Sequence, residues 1–105
     1  MKDAFVHHVF FWLKNPASET DRAALVAGLQ KLAAAPTIHF SHIGQPAPTN
    51  RPVVERSYSV SWLLFFKTAD DEAAYQTEPI HLKFIADCQH LWEKVVVFDS
   101  ISAPG

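Results

Sequence analysis

Residues 5–13 (FVHHVFFWL) would place apolar side chains on both faces of a β-strand. Successive side chains of a strand point to opposite faces of its sheet, so Val6, Phe10 and Trp12 share one face. The other face receives Phe5, Val9, Phe11 and Leu13. Residues 95–98, near the other end of the chain, are also apolar without alternation. A sheet that contains these two segments therefore has to be covered on both sides.

Helix and strand patterns alternate between these two segments. Leucines recur at helical spacing between an N-cap pattern at Ser18 and Asp21 and a stop at Pro36, which predicts a helix. Residues 37–44 have a weaker strand pattern. Residues 45–56 contain three prolines, and we predict a long loop there.

The second half of the chain predicts a strand, a broken helix and a last strand. Residues 57–67 begin with a clean alternation of apolar and small polar side chains. Acidic residues 70–72 suit a helix start, and the helical pattern then continues to Trp92. Pro79 divides this pattern, because proline is tolerated in the first turn of a helix but not in its interior. Residues 93–101 (EKVVVFDSI) are predicted to be the last strand.

The predicted order β-α-β-β-α-β is that of the ferredoxin-like α+β sandwich. Two helices can cover only one face of a four-stranded sheet, so the other apolar face needs a partner, most simply a second copy. We therefore expect a single domain over residues 1–105. We also expect a homodimer in which the two sheets face each other.

Composition excludes several other classes of protein. The chain is 49% hydrophobic, which excludes an intrinsically disordered protein. Its formal net charge is −2 and it has no run of basic residues, so it lacks the positively charged surface that binds nucleic acid. No apolar run is long enough for a membrane helix. The one cysteine, Cys88, cannot form an internal disulfide, and the first residues lack a secretory signal pattern. We expect a cytoplasmic protein with no nucleic-acid or membrane partner.

Four segments, taken together, are typical of one protein family. They are HHVFFWLK (7–14), YSVSWLLFFKT (58–68), AYQTEPIHLKF (74–84) and LWEKVVVFDS (91–100). In these segments the chain resembles the stress-responsive A/B barrel (Dabb) domain family, part of the dimeric α+β barrel superfamily. The resemblance implies the ferredoxin-like fold and a homodimeric barrel over almost the whole chain.

The resemblance also implies candidate site residues. One plant member of the family cyclises a linear polyketide by intramolecular aldol condensation, with a catalytic Tyr and His six residues apart around a Pro. Tyr75 and His81 flank Pro79 with this spacing, and His8 matches a further pocket histidine of that enzyme.

Two positions depart from the cyclase pattern. Glu78 precedes the proline where a histidine is usual, and Val60 occupies the position of a third pocket histidine.

The residues themselves suggest roles for this pair. His81 precedes Phe84 by three residues, so helical spacing places both on the inward face, which also carries Trp92. A neutral imidazole beside an apolar cavity is suited to act as a general base, and the Tyr75 hydroxyl is suited to donate a hydrogen bond to a developing oxyanion. Residues six apart do not share a helix face, so only the break at Pro79 can bring the pair together. The alternative is a core histidine that is hydrogen-bonded to Tyr75 or to backbone freed at the Pro79 break and only stabilises the fold.

No metal site or cofactor is expected from the sequence. His7 and His8 are adjacent in a strand and point to opposite faces, and no cysteine or histidine motif has metal-ligand spacing. Cys88 is interpreted as a buried apolar side chain, because no basic neighbour is evident.

Three functions are compatible with these observations. The first is a homodimer that binds a small apolar or carbonyl-containing ligand between the second helix and the sheet, either without catalysis or as a lyase similar to the polyketide cyclase. His8, Trp92 and Phe84 would then contact the ligand around His81 and Tyr75. The second is a non-catalytic structural or stress-associated dimer. The third, on fold analogy alone, is a haem-related or quinone-forming monooxygenase.

Overall fold

The computed structural model describes residues 3–104 of the chain. The strands are β1 (Phe5–Leu13), β2 (Phe40–Gly44), β3 (Val60–Phe66) and β4 (Trp92–Ile101), and the helices are α1 (Glu19–Leu32), α2 (Ala69–Thr77) and α3 (Pro79–Cys88), with a short 3-10 turn at Gln89–Leu91. The strands form one antiparallel sheet in the order β2-β3-β1-β4. This is the ferredoxin-like α+β sandwich that the sequence predicts.

Side-chain capping explains where α1 and α2 begin. The Ser18 hydroxyl accepts a hydrogen bond from the Asp21 amide at 3.1 Å, as the N-cap pattern predicts. Thr68, which the sequence analysis did not identify, caps α2 by accepting from the Asp71 amide at 3.0 Å. Both caps satisfy amides that have no partner inside the helix.

The helical region ends earlier than the sequence pattern indicates. The prediction that the helix continues to Trp92 is wrong, because α3 ends at Cys88 and a 3-10 turn leads into β4, where Trp92 is the first residue. The apolar spacing of the helix continues by coincidence into the start of a strand. Two strands also begin later than predicted, β2 at Phe40 and β3 at Val60, whereas the loop predicted over residues 45–56 is confirmed.

The core lies between the helices and one face of the sheet. The side chains on this face come from alternate positions of the two central strands, and the helices contribute leucines and aromatic rings. The core residues of the strands are Val9, Phe11, Leu13, Val60, Trp62, Leu64 and Phe66, and those of the helices include Leu25, Leu29, Leu32, Tyr75 and Phe84. None of the helices described between residues 3 and 104 is long and apolar enough to cross a membrane.

The opposite face of the sheet, which we call the open face, carries a second apolar surface. The alternation of β1 and the strand register place Val6, His8, Phe10, Trp12, Leu63, Phe65, Val96 and Phe98 there. Phe98 is 63% exposed and packs edge-on against Phe10, with ring centroids 5.9 Å apart. The two-sided apolar pattern of residues 5–13 thus corresponds to one face buried under helices and one face that is uncovered within the chain.

Candidate active site

The break between α2 and α3 brings Tyr75 and His81 together. Glu78 has an extended backbone (φ −62°, ψ 138°), the conformation that the residue before a proline prefers, and α3 begins at Pro79. The ring centroids of Tyr75 and His81 consequently lie 4.5 Å apart, at an interplanar angle of 35°. The sequence indicates that only the break at Pro79 could bring these two rings together, and in the structure they do converge there.

Tyr75 is held as a neutral hydrogen-bond donor. Its side chain is buried, and its hydroxyl oxygen accepts from Trp62 Nε1 at 3.2 Å. Burial raises the pKa of the Tyr75 phenol to about 12, and the nearby carboxylates of Glu78 and Glu72 act in the same direction. The phenol therefore keeps its proton at neutral pH. Because the bond from Trp62 uses a lone pair of the oxygen, the O–H remains able to donate to a ligand.

A hydrogen bond to the backbone sets the tautomer of the neutral His81 ring. Its Nδ1 lies 3.1 Å from the carbonyl oxygen of Gln76 in the last turn of α2. A carbonyl oxygen can only accept, so Nδ1 carries the hydrogen and Nε2 holds the lone pair in the neutral ring. In a continuous helix this carbonyl would accept from the amide of Ile80. The break frees it for the imidazole, and Nε2 is the basic atom of the pair.

His7, which the sequence analysis did not select, is a second imidazole at this site. It is buried beneath the helices, and its Nδ1 lies 2.6 Å from Asp99 Oδ1 of β4. The His7 and Tyr75 rings are arranged edge to face, with centroids 6.2 Å apart. The carboxylate accepts from Nδ1, which leaves Nε2 of the neutral ring as an acceptor.

The prediction that His8 lines the same cavity is wrong. The alternation of β1 directs His8 to the open face, where its ring lies 4.3 Å from that of Phe10. Partial burial lowers the pKa of His8, and the proximity of His42 on β2 lowers it further. The strand pattern showed that the two adjacent histidines must diverge, but not which of the two faces the helices would cover.

A cavity of about 220 Å³ joins these groups. The three polar side chains His7, Tyr75 and His81 share it with a mainly apolar wall. That wall consists of Val9, Phe11, Leu32, Trp62, Phe84, Ile85, Trp92, Val95 and Val97, with Gln76 beside them. Val95 and Val97 of β4 are exposed, so the cavity is open to solvent along this strand.

Phe84 and Trp92 both line the cavity, although they come from different elements. Phe84 belongs to α3 and Trp92 to β4, and their rings are stacked with centroids 5.8 Å apart. Phe11 of β1 packs against Trp92 at 4.9 Å. These three rings form one apolar wall of the cavity.

Two other sequence expectations concern metal ligands and Cys88. Among residues 3–104, no three His, Cys, Asp or Glu side chains are grouped as a metal ion would need.

Cys88 is buried between α1 and α3, as expected. Burial raises the pKa of its thiol, and the nearby carboxylate of Asp87 raises it further. Cys88 is therefore not an activated nucleophile.

Fold and cavity together define a class of protein: a ferredoxin-like α+β sandwich with a cavity between its helices and its sheet that is lined by His7, Tyr75 and His81. The family model of the stress responsive A/B barrel domain (Dabb) matches residues 5–102, and the chain belongs to this family. A comparison with curated protein sequences found no significant match.

Solved structures with the same fold cover nearly the whole chain. A Dabb family protein from Mesorhizobium loti with a ferredoxin-like fold is 19% identical over 97% of this chain and 99% of its own, with a TM-score of 0.79. The hydroxynitrile lyase of Passiflora edulis is 22% identical over 96% and 94% of the two chains, with a TM-score of 0.75. A dimeric ferredoxin-like protein of unknown function from Thermobifida fusca is 18% identical over 95% and 92%, with a TM-score of 0.74. At these identities the similarity establishes the fold alone.

Proposed function

We propose that this protein binds a small, mainly apolar carbonyl compound in the cavity and catalyses proton transfer at the carbon next to the carbonyl. The observation that carries this proposal is that an imidazole with a free Nε2 and a protonated phenol open onto the same cavity. The reaction class is the making or breaking of a carbon–carbon bond through an enolate, as in a cyclase or lyase.

The proposed chemistry assigns a separate task to each group. His81 Nε2 removes a proton from the α-carbon, and the electron pair of that C–H bond moves into the carbonyl, whose oxygen accepts a hydrogen bond from Tyr75. The enolate carbon then attacks a second carbonyl carbon, and the imidazolium of His81 returns its proton to the new alkoxide. The reverse sequence breaks the bond. His7, oriented by Asp99, contributes a further acceptor that can position a hydroxyl group of the ligand.

The Passiflora edulis neighbour supports lyase activity on this fold. That protein is a hydroxynitrile lyase on the same fold. A cavity of about 220 Å³ fits a ligand with one aromatic ring or a short alkyl chain.

A non-catalytic structural dimer is the second candidate. The observation in its favour is that Tyr75 is only 1% exposed and already has Trp62 as a hydrogen-bond partner. A buried pair of this kind stabilises a fold without any ligand.

We also propose that a second copy of the chain covers the open face. The exposed aromatic side chain of Phe98 on this face supports the proposal. The face also has a shallow pocket of about 450 Å³, whose lining includes Phe10, Trp12, Tyr58 and Phe98. The Thermobifida fusca neighbour is described as dimeric. The single domain over residues 1–105 and the cytoplasmic location remain predictions.

The catalytic proposal is tested with phenylacetone as the probe. Its methylene group lies between a carbonyl and an aromatic ring, and NMR in deuterium oxide follows the exchange of its protons. We expect the protein to accelerate this exchange and His81→Gln to reduce the acceleration by about 10²–10⁴-fold, the usual contribution of general acid–base catalysis. His90→Gln is the matched control, since His90 is exposed in the 3-10 turn outside the cavity.

Each result of this experiment supports one candidate function. Acceleration that His81→Gln abolishes and His90→Gln leaves intact supports the enolising function. Neither binding nor acceleration, with a folded protein, would contradict it and favour the structural dimer.

A further inference from the structure

Glu78 connects the two proposed reactive residues through the backbone. Its amide donates to the carbonyl oxygen of Tyr75 at 3.2 Å. Its carbonyl oxygen accepts from the amides of His81 at 3.0 Å and of Leu82 at 3.1 Å. Glu78 is thus both the C-cap of α2 and the N-cap of α3. Any rotation of its backbone moves Tyr75 and His81 relative to each other.

The backbone alone fixes the angle at this break only weakly. Pro79 has no amide hydrogen, so it cannot donate to the Tyr75 carbonyl as the fourth following residue of a continuous helix would. Glu78 also lacks a helical conformation, which interrupts the ladder of hydrogen bonds between α2 and α3. A two-helix joint of this kind needs a contact outside the helices to hold one angle.

The side chain of Glu78 makes that contact. The hydroxyl of Thr37 donates to Glu78 Oε1 at 2.8 Å. Thr37 lies in the connection between α1 and β2, next to Pro36, and both partners are half-buried. The bond therefore joins the α2–α3 break to a segment that is 41 residues away in sequence. A hydrogen bond to a charged, partly buried carboxylate is stronger than one between neutral groups.

We propose that Glu78 is a positioning residue, whose hydrogen bond from Thr37 fixes the angle between α2 and α3 and so sets the separation of Tyr75 and His81. The inference rests on the proposed function, in which these two side chains act as the acid-base pair. It also gives a role to the departure from the cyclase pattern at Glu78: the carboxylate that replaces the usual histidine is anchored on a threonine.

The charge of Glu78 has a second, separable effect. Its carboxylate is one of the groups that raise the pKa of Tyr75, after burial. Replacement by glutamine keeps an oxygen that can accept from Thr37 but removes the charge. Replacement by alanine removes both. The pair Glu78→Gln and Glu78→Ala therefore separates the hydrogen bond from the electrostatic contribution.

The test uses NMR of the ligand-free protein. Nuclear Overhauser cross-peaks between the rings of Tyr75 and His81, together with the His81 ring shifts, report their relative position. We expect Thr37→Val and Glu78→Ala to weaken these cross-peaks and move the His81 shifts, while Glu78→Gln retains them. Thr77→Val is the matched control, because the Thr77 hydroxyl donates to the Ala74 carbonyl within α2 and has no part in the contact with Thr37.

A purely structural role for Glu78 would give a different result. Thr37→Val and Glu78→Ala would then lower the thermal midpoint but leave the ring cross-peaks and the His81 shifts unchanged, and this outcome would overturn the proposal. So would a Glu78→Gln variant that loses the cross-peaks like Glu78→Ala. Because no substrate is needed, failure of the phenylacetone assay does not affect this result. If the assay succeeds, Thr37→Val should slow exchange by about 10–10²-fold, since a misplacement of 1 Å costs up to about 10² in rate.

Discussion

His7 and Asp99 face each other directly across the β1–β4 ladder, and their side chains meet at 2.6 Å on the cavity side of the sheet. This pair holds the imidazole of His7 in one orientation, while the adjacent His8 points to the open face. Two neighbouring histidines thus have different surroundings: one borders a cavity with a carboxylate partner, and the other lies among aromatic side chains.

This arrangement predicts different effects on ligand binding for a matched pair of substitutions. His7→Gln should weaken the binding of 1-phenyl-2-propanol, the alcohol that corresponds to phenylacetone, by about 1–2 kcal/mol, because it removes the positioned Nε2 acceptor for the hydroxyl group of the ligand. His8→Gln should leave that binding unchanged. Isothermal titration calorimetry measures both variants, with circular dichroism as the control for folding. Equal effects of the two substitutions would contradict the assignment of His7 to the cavity.

Much of the fold is predictable because its signals are local. The bounds of β1 follow from its two-sided alternation, and the start of α1 follows from the cap at Ser18. The break before Pro79 follows from the stereochemistry of proline. Trp92 was assigned to a helix because apolar spacing does not reveal where a chain leaves one helical face and enters a strand.

The site is less predictable, because its parts depend on tertiary register. The resemblance to the cyclase, whose catalytic Tyr and His have the same spacing around a proline, implies Tyr75 and His81 as the pair, and the break at Pro79 explains why they meet. The choice between His7 and His8 requires knowledge of which sheet face the helices cover. The partner of His7, Asp99, follows only from the pairing of β1 with β4. The hydrogen bond from Trp62 to Tyr75 also depends on tertiary packing, and the sequence does not predict it.

The buried phenol predicts a loss of stability at alkaline pH. The pKa of Tyr75 rises from 10.0 to about 12 on folding. Between pH 10 and pH 12 the phenol is therefore ionised in the unfolded chain but still protonated in the folded one. The free energy of unfolding should therefore fall as pH rises above about 10, by up to about 3 kcal/mol from this group. Urea unfolding at a series of pH values measures the slope. The slope should be reduced in Tyr75→Phe.

Tyr58→Phe is the control for this measurement, since Tyr58 and Tyr75 are the two tyrosines of the chain. It should keep the alkaline slope. Tyr75→Phe also leaves Trp62 Nε1 without its partner, at a cost of about 1–3 kcal/mol, so slopes rather than absolute stabilities are compared. If Tyr75→Phe retains the full slope, the phenol is not the group responsible.

The contact between α1 and α3 predicts a dependence on side-chain size at Gly28. A Cβ atom at this position would lie 2.6 Å from Cys88 Sγ, closer than any real contact allows. Alanine favours a helix over glycine by about 1 kcal/mol, but overpacking costs about 1–3 kcal/mol. Gly28→Ala should therefore lower the free energy of unfolding.

A double-mutant cycle with Cys88→Ala tests this explanation. Removing the sulfur should make Gly28→Ala neutral or stabilising, which gives a favourable coupling energy in chemical unfolding experiments. Additive effects of the two substitutions would show that Cys88 is not the obstacle.

The open face predicts a dimer that a single charge disrupts. Phe98 is exposed on this face and contacts Phe10, and an obligate homodimer buries about 2,000 Å² or more in total. A carboxylate at position 98 would lie unpaired in such an interface, where burial of a charge is strongly unfavourable. Sedimentation velocity at micromolar concentration should therefore give a dimer for the unmodified protein and a monomer for Phe98→Asp.

Leu82→Asp is the matched control for the dimer prediction, because Leu82 is similarly exposed, at 55%, but lies on α3 in the helical layer. It should remain dimeric. A stable monomer of the unmodified protein, or dissociation by Leu82→Asp but not by Phe98→Asp, would show that the open face is not the interface.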